Sequence, residues 1–197
     1  MITIVCGSHR SSSNSLKVCE FIHSQLVAKK ADSQILDLVK TPLPIWNEGV
    51  WEQGDNWNEA WTLTKQGLSQ SEAFVFVVPE YGGMVPPHIK NLILLCSAKE
   101  LGHKPALLVG VSQGPGGTYP IIEMRGMGYK NNKIVYIPDH VIIRNVNEFL
   151  QDQDNERQSV VRDRLCRSID VLLAYAEAFK PLRENELIKK FPYPFGM

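Results

Sequence analysis

The residues best suited to chemistry lie near the N-terminus, in Gly7-Ser8-His9-Arg10-Ser11-Ser12-Ser13-Asn14-Ser15. Ser8, Ser11, Ser12, Ser13 and Ser15 bring hydroxyls, Asn14 brings an amide, and His9, Arg10 and Lys17 can bring positive charge. No Asp or Glu occurs from Gly7 to Cys19. Such a stretch suits a phosphate when a helix begins just after it. The first N–H groups of a helix have no partner within it, and its dipole places roughly half a positive charge there. Ser13 or Asn14 can also cap the helix, and the two roles are compatible. Two familiar phosphate loops are excluded by spacing. Lys17 lacks the glycines of G-x-x-x-x-G-K-[ST], and no G-x-G-x-x-G is present. The expected ligand is a monophosphate on a mononucleotide.

Two later stretches add groups that suit a flat ligand. Pro79-Glu80-Tyr81-Gly82-Gly83-Met84-Val85-Pro86-Pro87 combines two glycines with an aromatic and a methionine. Glycines let backbone approach a ring or turn sharply, and prolines stiffen the entry to a following helix. Ser112-Gln113-Gly114-Pro115-Gly116-Gly117-Thr118-Tyr119 has three more glycines. Either stretch alone also reads as an ordinary Gly/Pro turn.

These stretches need elements to hold them. Apolar runs at Ile2–Cys6, Gln34–Leu38, Ala73–Val78, Ala106–Val111 and Lys133–Ile137 read as five strands. Helical periodicity falls at 13–29, 57–71, 88–99, 119–129 and 156–179. Pro181 is the expected stop of the last helix, and the tail from about 181 to 197 is expected to be extended or mobile. The polar 151–156 is expected to be a loop. Strands alternating with helices imply βαβ units and a parallel sheet. The expected architecture is a single three-layer α/β domain over 1–197, flavodoxin-like, with strand order 2-1-3-4-5 and helices on both faces. In such sheets ligands bind beyond the carboxyl ends of the strands, beside strand 1. The three stretches follow strands 1, 3 and 4.

At this point the sequence resembles the NADPH-dependent FMN reductase family. GSHRSSSNSLK is similar to its G-S-x-R-x-x-S phosphate loop, and PEYGGMVPPHIKN to its P-E-Y-N-x-S-x-P-G-x-L-K-N segment. GPGGTYPIIEMR resembles its G-G-x-R-A-x-x-x-L-R segment, and Asp37-Leu38 with Pro42-Leu43-Pro44 its second strand and proline turn. The resemblance implies an FMN cofactor, with NADPH or NADH as electron donor and a small molecule as acceptor. Free flavins, quinones, azo compounds and metal oxyanions are the acceptor classes. It implies that Ser8, Arg10, Ser13, Asn14 and Ser15 bind the phosphate. Pro79, Glu80, Tyr81, Gly82, Gly83 and Met84 would line the flavin ring, mainly through backbone groups. Ser112, Gly116 and Gly117 would border it from the third loop. No side-chain acid or base is required, so no catalytic residue is assigned. A homodimer or homotetramer is implied. Gly82 stands for the family's usual Asn, Pro87 for its Gly, and Tyr119 where Arg is common.

Composition bounds the alternatives. Among 197 residues, 21 basic and 21 acidic side chains cancel, so no global field draws the chain to nucleic acid or an anionic membrane. No apolar run reaches the length of a bilayer span, and no signal peptide is evident, so a cytoplasmic location is expected. Cys6, Cys19, Cys96 and Cys166 form no C-x-x-C and read as buried free thiols, and no metal site is expected. All four tryptophans (Trp46, Trp51, Trp57, Trp61) fall between Leu43 and Leu63, as core or subunit interface. Asp139-His140, expected after strand 5, lacks the G-x-S-x-G of a hydrolase. Two other readings stay open: an electron carrier using FMN with a protein partner, and a flavin-free interaction module.

Overall fold

The computed structural model describes residues 1–54, 57–151, 155–190 and 192. In chain order the elements are β1 (Ile2–Cys6), α1 (Asn14–Ala28), β2 (Ser33–Asp37), α2 (Gly49–Glu52), α3 (Glu59–Ser69), β3 (Ala73–Pro79) and α4 (Pro87–Leu95). There follow α5 (Ala98–Leu101), β4 (Pro105–Val111), α6 (Tyr119–Arg125), β5 (Val135–Ile143), α7 (Val146–Gln151), α8 (Glu156–Glu184) and α9 (Glu186–Lys189). The five strands form one sheet of order β2-β1-β3-β4-β5, and every pairing is parallel.

The central strands β1, β3 and β4 are buried along their whole length, as a parallel sheet covered on both faces requires. β3 shows how the two faces divide. Ala73, Val75 and Val77 pack with Ile22 and Leu26 of α1 and Leu165, Ile169 and Leu172 of α8. Phe74, Phe76 and Val78 pack with Trp61 and Leu68 of α3, Ile89 and Leu92 of α4, and Ile121 and Met124 of α6. This alternation produces the three layers. Strand order therefore carries the C-terminal ends of β1, β3 and β4 side by side, and with them the three loops.

Several boundaries differ from those expected. The periodic 88–99 stretch breaks at Cys96 and Ser97, because Ser97 caps α5 with a capping box to Glu100. β5 extends to Ile143, so Asp139 and His140 lie inside it. There Ala106 pairs with Tyr136 and Leu108 with His140, so β5 bulges across Ile137–Asp139. Pro138 sits in that bulge on the edge strand, where a missing N–H is tolerated. The Arg125 guanidinium donates to the carbonyls of Ile137 and Pro138 at 3.1 and 3.0 Å and so braces the bulge. Pro181 does not stop the last helix: α8 continues to Glu184, and α9 follows. Pro181 is exposed one turn from the helix end, where water can satisfy the freed carbonyl. Arg183, two residues beyond, forms an ion pair with Glu72 at the entry to β3 and pins the helix end. The expected extended tail is thus helical to Lys189, and most of Phe191–Met197 lies outside the described residues. Gln151 ends α7 and Glu156 starts α8, with 152–154 also outside.

Cys6, Cys19 and Cys96 are buried free thiols as expected, whereas Cys166 is half-buried. Cys6 and Cys19 meet where β1 passes under α1. A hydrogen bond from the Cys19 thiol lowers the Cys6 thiol below its ordinary range, and burial pushes Cys19 well up. Among the described residues no helix is long and apolar enough to cross a membrane. Among them, too, no group of three His, Cys, Asp or Glu could hold a metal ion.

Candidate functional site

The loop after β1 is shaped from within by its buried serines. Ser8 is fully buried; its hydroxyl accepts the Arg10 N–H at 3.2 Å, which curls the loop. Ser13 is the N-cap of α1, its hydroxyl accepting the Leu16 N–H at 3.1 Å. Ser15 is buried under the first turn. Exposed groups therefore come from His9, Arg10, Ser11 and Ser12. Among the described residues the N–H groups of Ser11 and Ser12 and the Arg10 guanidinium have no partner within the protein. Asn14 is drawn aside: its amide donates to the side-chain Oδ1 of Asn147 in α7 at 2.7 Å.

The loop after β3 opens with a tight turn. Tyr81 and Met84 exchange backbone hydrogen bonds of 3.3 and 3.1 Å around Gly82 and Gly83. Both glycines have positive φ, +59° and +72°. Two consecutive positive φ values define a type I′ turn, for which Asn-Gly and Gly-Gly are the favoured pairs. Gly82 thus meets the same backbone demand as the Asn common in the resembled family. The N–H groups of Gly82 and Gly83 have no partner among the described residues, and Gly82 is exposed while Gly83 is half-buried.

Two carboxylates fasten this loop to its neighbours. Glu80 Oε2 accepts the Gly117 N–H at 2.6 Å, joining the loop after β3 to the loop after β4. The contact needs Gly116, where a Cβ would lie 2.8 Å from Glu80 Oε1. Glu80 accordingly uses its side chain to brace the third loop. Glu123 Oε2 of α6 accepts the Val85 N–H at 2.7 Å, and its other oxygen pairs with Lys90 Nζ at 2.5 Å. Burial tends to raise the Glu123 carboxyl, but the Lys90 and Val85 contacts outweigh it and hold it below the ordinary carboxylate range.

Aromatic contacts continue the joining. Tyr81 Oη lies 2.9 Å from Ser8 Oγ, across 73 residues of sequence. The His9 ring meets Tyr81 edge-on at 4.9 Å and stacks on His88 at 5.2 Å. Burial, then the neighbouring His9, lowers the His88 imidazole below its ordinary value. Tyr119 opens α6 exposed to solvent, 3.9 Å from the position a Gly83 Cβ would take.

The residues expected from sequence therefore converge on one region in different roles. Arg10, Gly82 and Met84 are exposed and Gly83 half-buried; Ser8, Ser13, Ser15, Glu80 and Gly117 hold the loops; Pro79, at the end of β3, is buried, and Tyr81 bridges two loops. Ser112 supports the third loop, its hydroxyl accepting the Gly114 N–H at 3.3 Å. Sequence reading missed a fourth loop, after β5. Arg144 Nε donates to the Pro115 carbonyl at 2.7 Å, and the N–H groups of Asn145 and Val146 bond to Gly114 and Ser112 carbonyls. Nothing in the RNVNEF stretch advertises this, because α7 is only Val146–Gln151. Among the tryptophans, Trp61 is buried in the core, Trp46 and Trp57 pack against that core, and Trp51 is exposed.

Comparison with known proteins matches this arrangement. The family described as NADPH-dependent FMN reductase matches residues 1–148. A quinone reductase of Pseudomonas putida is 30% identical over 122 residues, a stretch covering 60% of this chain and 63% of the relative. The chain thus aligns with less than two thirds of that relative's length. Among solved structures, FerB from Paracoccus denitrificans, a flavoenzyme NAD(P)H:(acceptor) oxidoreductase, superposes with a TM-score of 0.71 at 19% identity, over 90% of this chain and 97% of its own. An NAD(P)H:quinone oxidoreductase from Methanothermobacter marburgensis gives a TM-score of 0.61 at 13% identity, over 85% and 95%. These structural likenesses establish the flavodoxin-like fold.

Proposed function

The chain belongs to the NADPH-dependent FMN reductase family, and from that premise we propose that it is an FMN-dependent NAD(P)H oxidoreductase acting on small acceptors. The observation that carries this reading is an acid-free loop with unpaired N–H groups, tied by the Ser8–Tyr81 contact to a glycine turn with two more. Those groups fit the two ends of a flavin mononucleotide. Arg10, the N–H groups at Ser11 and Ser12 and the start of α1 would hold the phosphate. Gly82 and Gly83 would offer N–H donors to the polar edge of the ring, and donors fixed in advance favour the extra negative charge of a reduced ring. Bound FMN supplies the two-electron relay from nicotinamide to acceptor. The protein contributes binding, orientation and fixed dipoles; its Glu80 and Glu123 carboxylates are occupied in bracing loops.

The test is the visible spectrum of the purified protein. A flavin spectrum that NADPH or NADH bleaches under anaerobic conditions, with turnover on a quinone and no partner protein, is the expected result. A protein that stays colourless and binds no added FMN would overturn the reading. Turnover only with a protein partner would instead indicate an electron carrier.

The same reading extends to assembly and location. A homodimer or homotetramer is supported by exposed apolar side chains on one side of the sheet, Leu94 of α4 and Ile122 of α6, 63% and 64% accessible, and a cytoplasmic location is proposed with it. Light scattering should show more than one chain per particle, and Leu94→Glu with Ile122→Glu should lower that number.

A further inference from the structure

An apolar cleft of about 130 Å³ lies beside the proposed flavin site and takes no part in holding it. Leu38, Leu43, Ile45 and Pro87 form its walls, with Thr41, His88 and Asn91 at its edge. Asn91 braces one edge of the cleft. Its amide donates to the Pro44 carbonyl at 2.8 Å, and its oxygen accepts the Trp46 N–H at 2.8 Å. These bonds clamp the chain after β2 to α4 and leave the amide little to offer a ligand. Ile45 is 76% exposed, so an apolar arm lying in the cleft can cover it. Among the described residues no carboxylate, Lys or Arg lines the cleft.

Position gives the cleft its meaning. His88 lines it, His9 stacks on His88, and Tyr81 meets His9, so a continuous run of rings joins the cleft to the glycine turn. The Tyr81 and His88 rings are at most about 10 Å apart, by the sum of the two ring separations, so an extended ligand of that length can bridge them. The volume is close to that of an apolar cavity able to hold one benzene ring, roughly 150 Å³.

Resting on the function proposed above, we propose that this cleft is an acceptor subsite that seats an uncharged apolar arm, about one aromatic ring or one prenyl unit in size. It selects extended apolar acceptors, alkylated quinones or azo compounds with a neutral distal ring, over metal oxyanions. An apolar wall gains from each buried methylene of the arm, whereas a charged arm would be desolvated with no partner.

The test compares acceptors within each protein, so that a general loss of activity cancels. The probes are 2,3-dimethoxy-5-methyl-1,4-benzoquinone and its 6-decyl derivative, and an azo dye with a neutral or a sulfonated distal ring. The FMN-loaded protein should show a KM at least tenfold lower for the decyl quinone than for the bare one, and for the neutral dye than for the sulfonated one. Ile45→Glu, which places a charge on the wall at an already exposed position, should abolish both preferences. Thr41→Phe, which fills the cleft, should do the same. Equilibrium dialysis of the decyl quinone against the oxidised protein supplies a readout that needs no turnover, and Ile45→Glu should weaken it tenfold. A preference for one arm chemistry alone narrows the occupant to that source. Equal KM values for armed and bare acceptors, or preferences that survive both substitutions, would overturn the subsite. Turnover on the bare quinone decides the underlying reductase reading separately.

Discussion

Ser8 Oγ and Tyr81 Oη lie 2.9 Å apart, so a hydrogen bond between side chains ties the loop after the first strand to the turn after the third. The Ser8 hydroxyl also receives the Arg10 N–H, which makes it the point where both loops take their shape. A flavin mononucleotide must touch both loops at once. Whatever fixes their separation therefore sets how much order is already present before the ligand arrives, and order present beforehand favours affinity.

Tyr81→Phe isolates that contact, because it removes only the phenolic oxygen. A single hydrogen bond contributes on the order of 0.5–1.5 kcal/mol. FMN affinity should fall roughly two- to tenfold, with the ring still present to meet His9. Titration by flavin fluorescence measures it, and unchanged affinity would show that the loops are positioned without this bond.

Arg10→Ala should act on the phosphate end alone. Its guanidinium is exposed, unpartnered among the described residues and set in a stretch free of acids. The loss of FMN affinity should exceed the loss for riboflavin, which lacks the phosphate, by about tenfold or more, since a charge-assisted contact outweighs a neutral one. Equal losses for the two ligands would remove Arg10 from the phosphate site.

Gly82 offers a backbone test. Its φ is +59°, and a Cβ there would approach nothing closer than Met84 Cε at 3.5 Å, so strain rather than space decides the outcome. Gly82→Asn should be nearly neutral in thermal stability because Asn tolerates this conformation. Gly82→Val should cost about 1–2 kcal/mol, the penalty for a side chain forced into left-handed backbone. Differential scanning calorimetry of the two variants checks the ordering.

Glu123 gives a pH test with a definite sign. Its carboxyl is held below the ordinary range in the folded protein, so folding favours the ionised form. The resulting stability is fully present above the unfolded value, about 4.3, and is lost as pH falls through the lower folded value. Thermal stability of the native protein should therefore drop more steeply below about pH 4.5 than that of Glu123→Gln. Parallel melting curves for the two proteins, identical in slope across that range, would sink the assignment.

Much of the fold was legible in the sequence because its causes are local. Alternation of short apolar runs with 3.6-residue stripes determined five strands, the main helices and a parallel α/β sheet. Turn chemistry marked the loops after β1, β3 and β4, since glycine, proline and serine act within a few residues of themselves. The missing glycines of other phosphate loops narrowed the ligand to a mononucleotide from sequence alone. Tertiary structure decided how each candidate is used. Ser8, Ser13 and Ser15 turn inward while Arg10, Ser11 and Ser12 stay out, because packing against the sheet and α1 selects which hydroxyls are enclosed. Glu80 reaches Gly117, Glu123 reaches Val85 and Arg144 reaches Pro115 across 37, 38 and 29 residues. No local pattern encodes such distances; the strand order creates them when it sets the ends of β1, β3, β4 and β5 near one another. The helix that runs past Pro181 has the same explanation, since the Arg183–Glu72 pair that anchors it joins residues 111 apart.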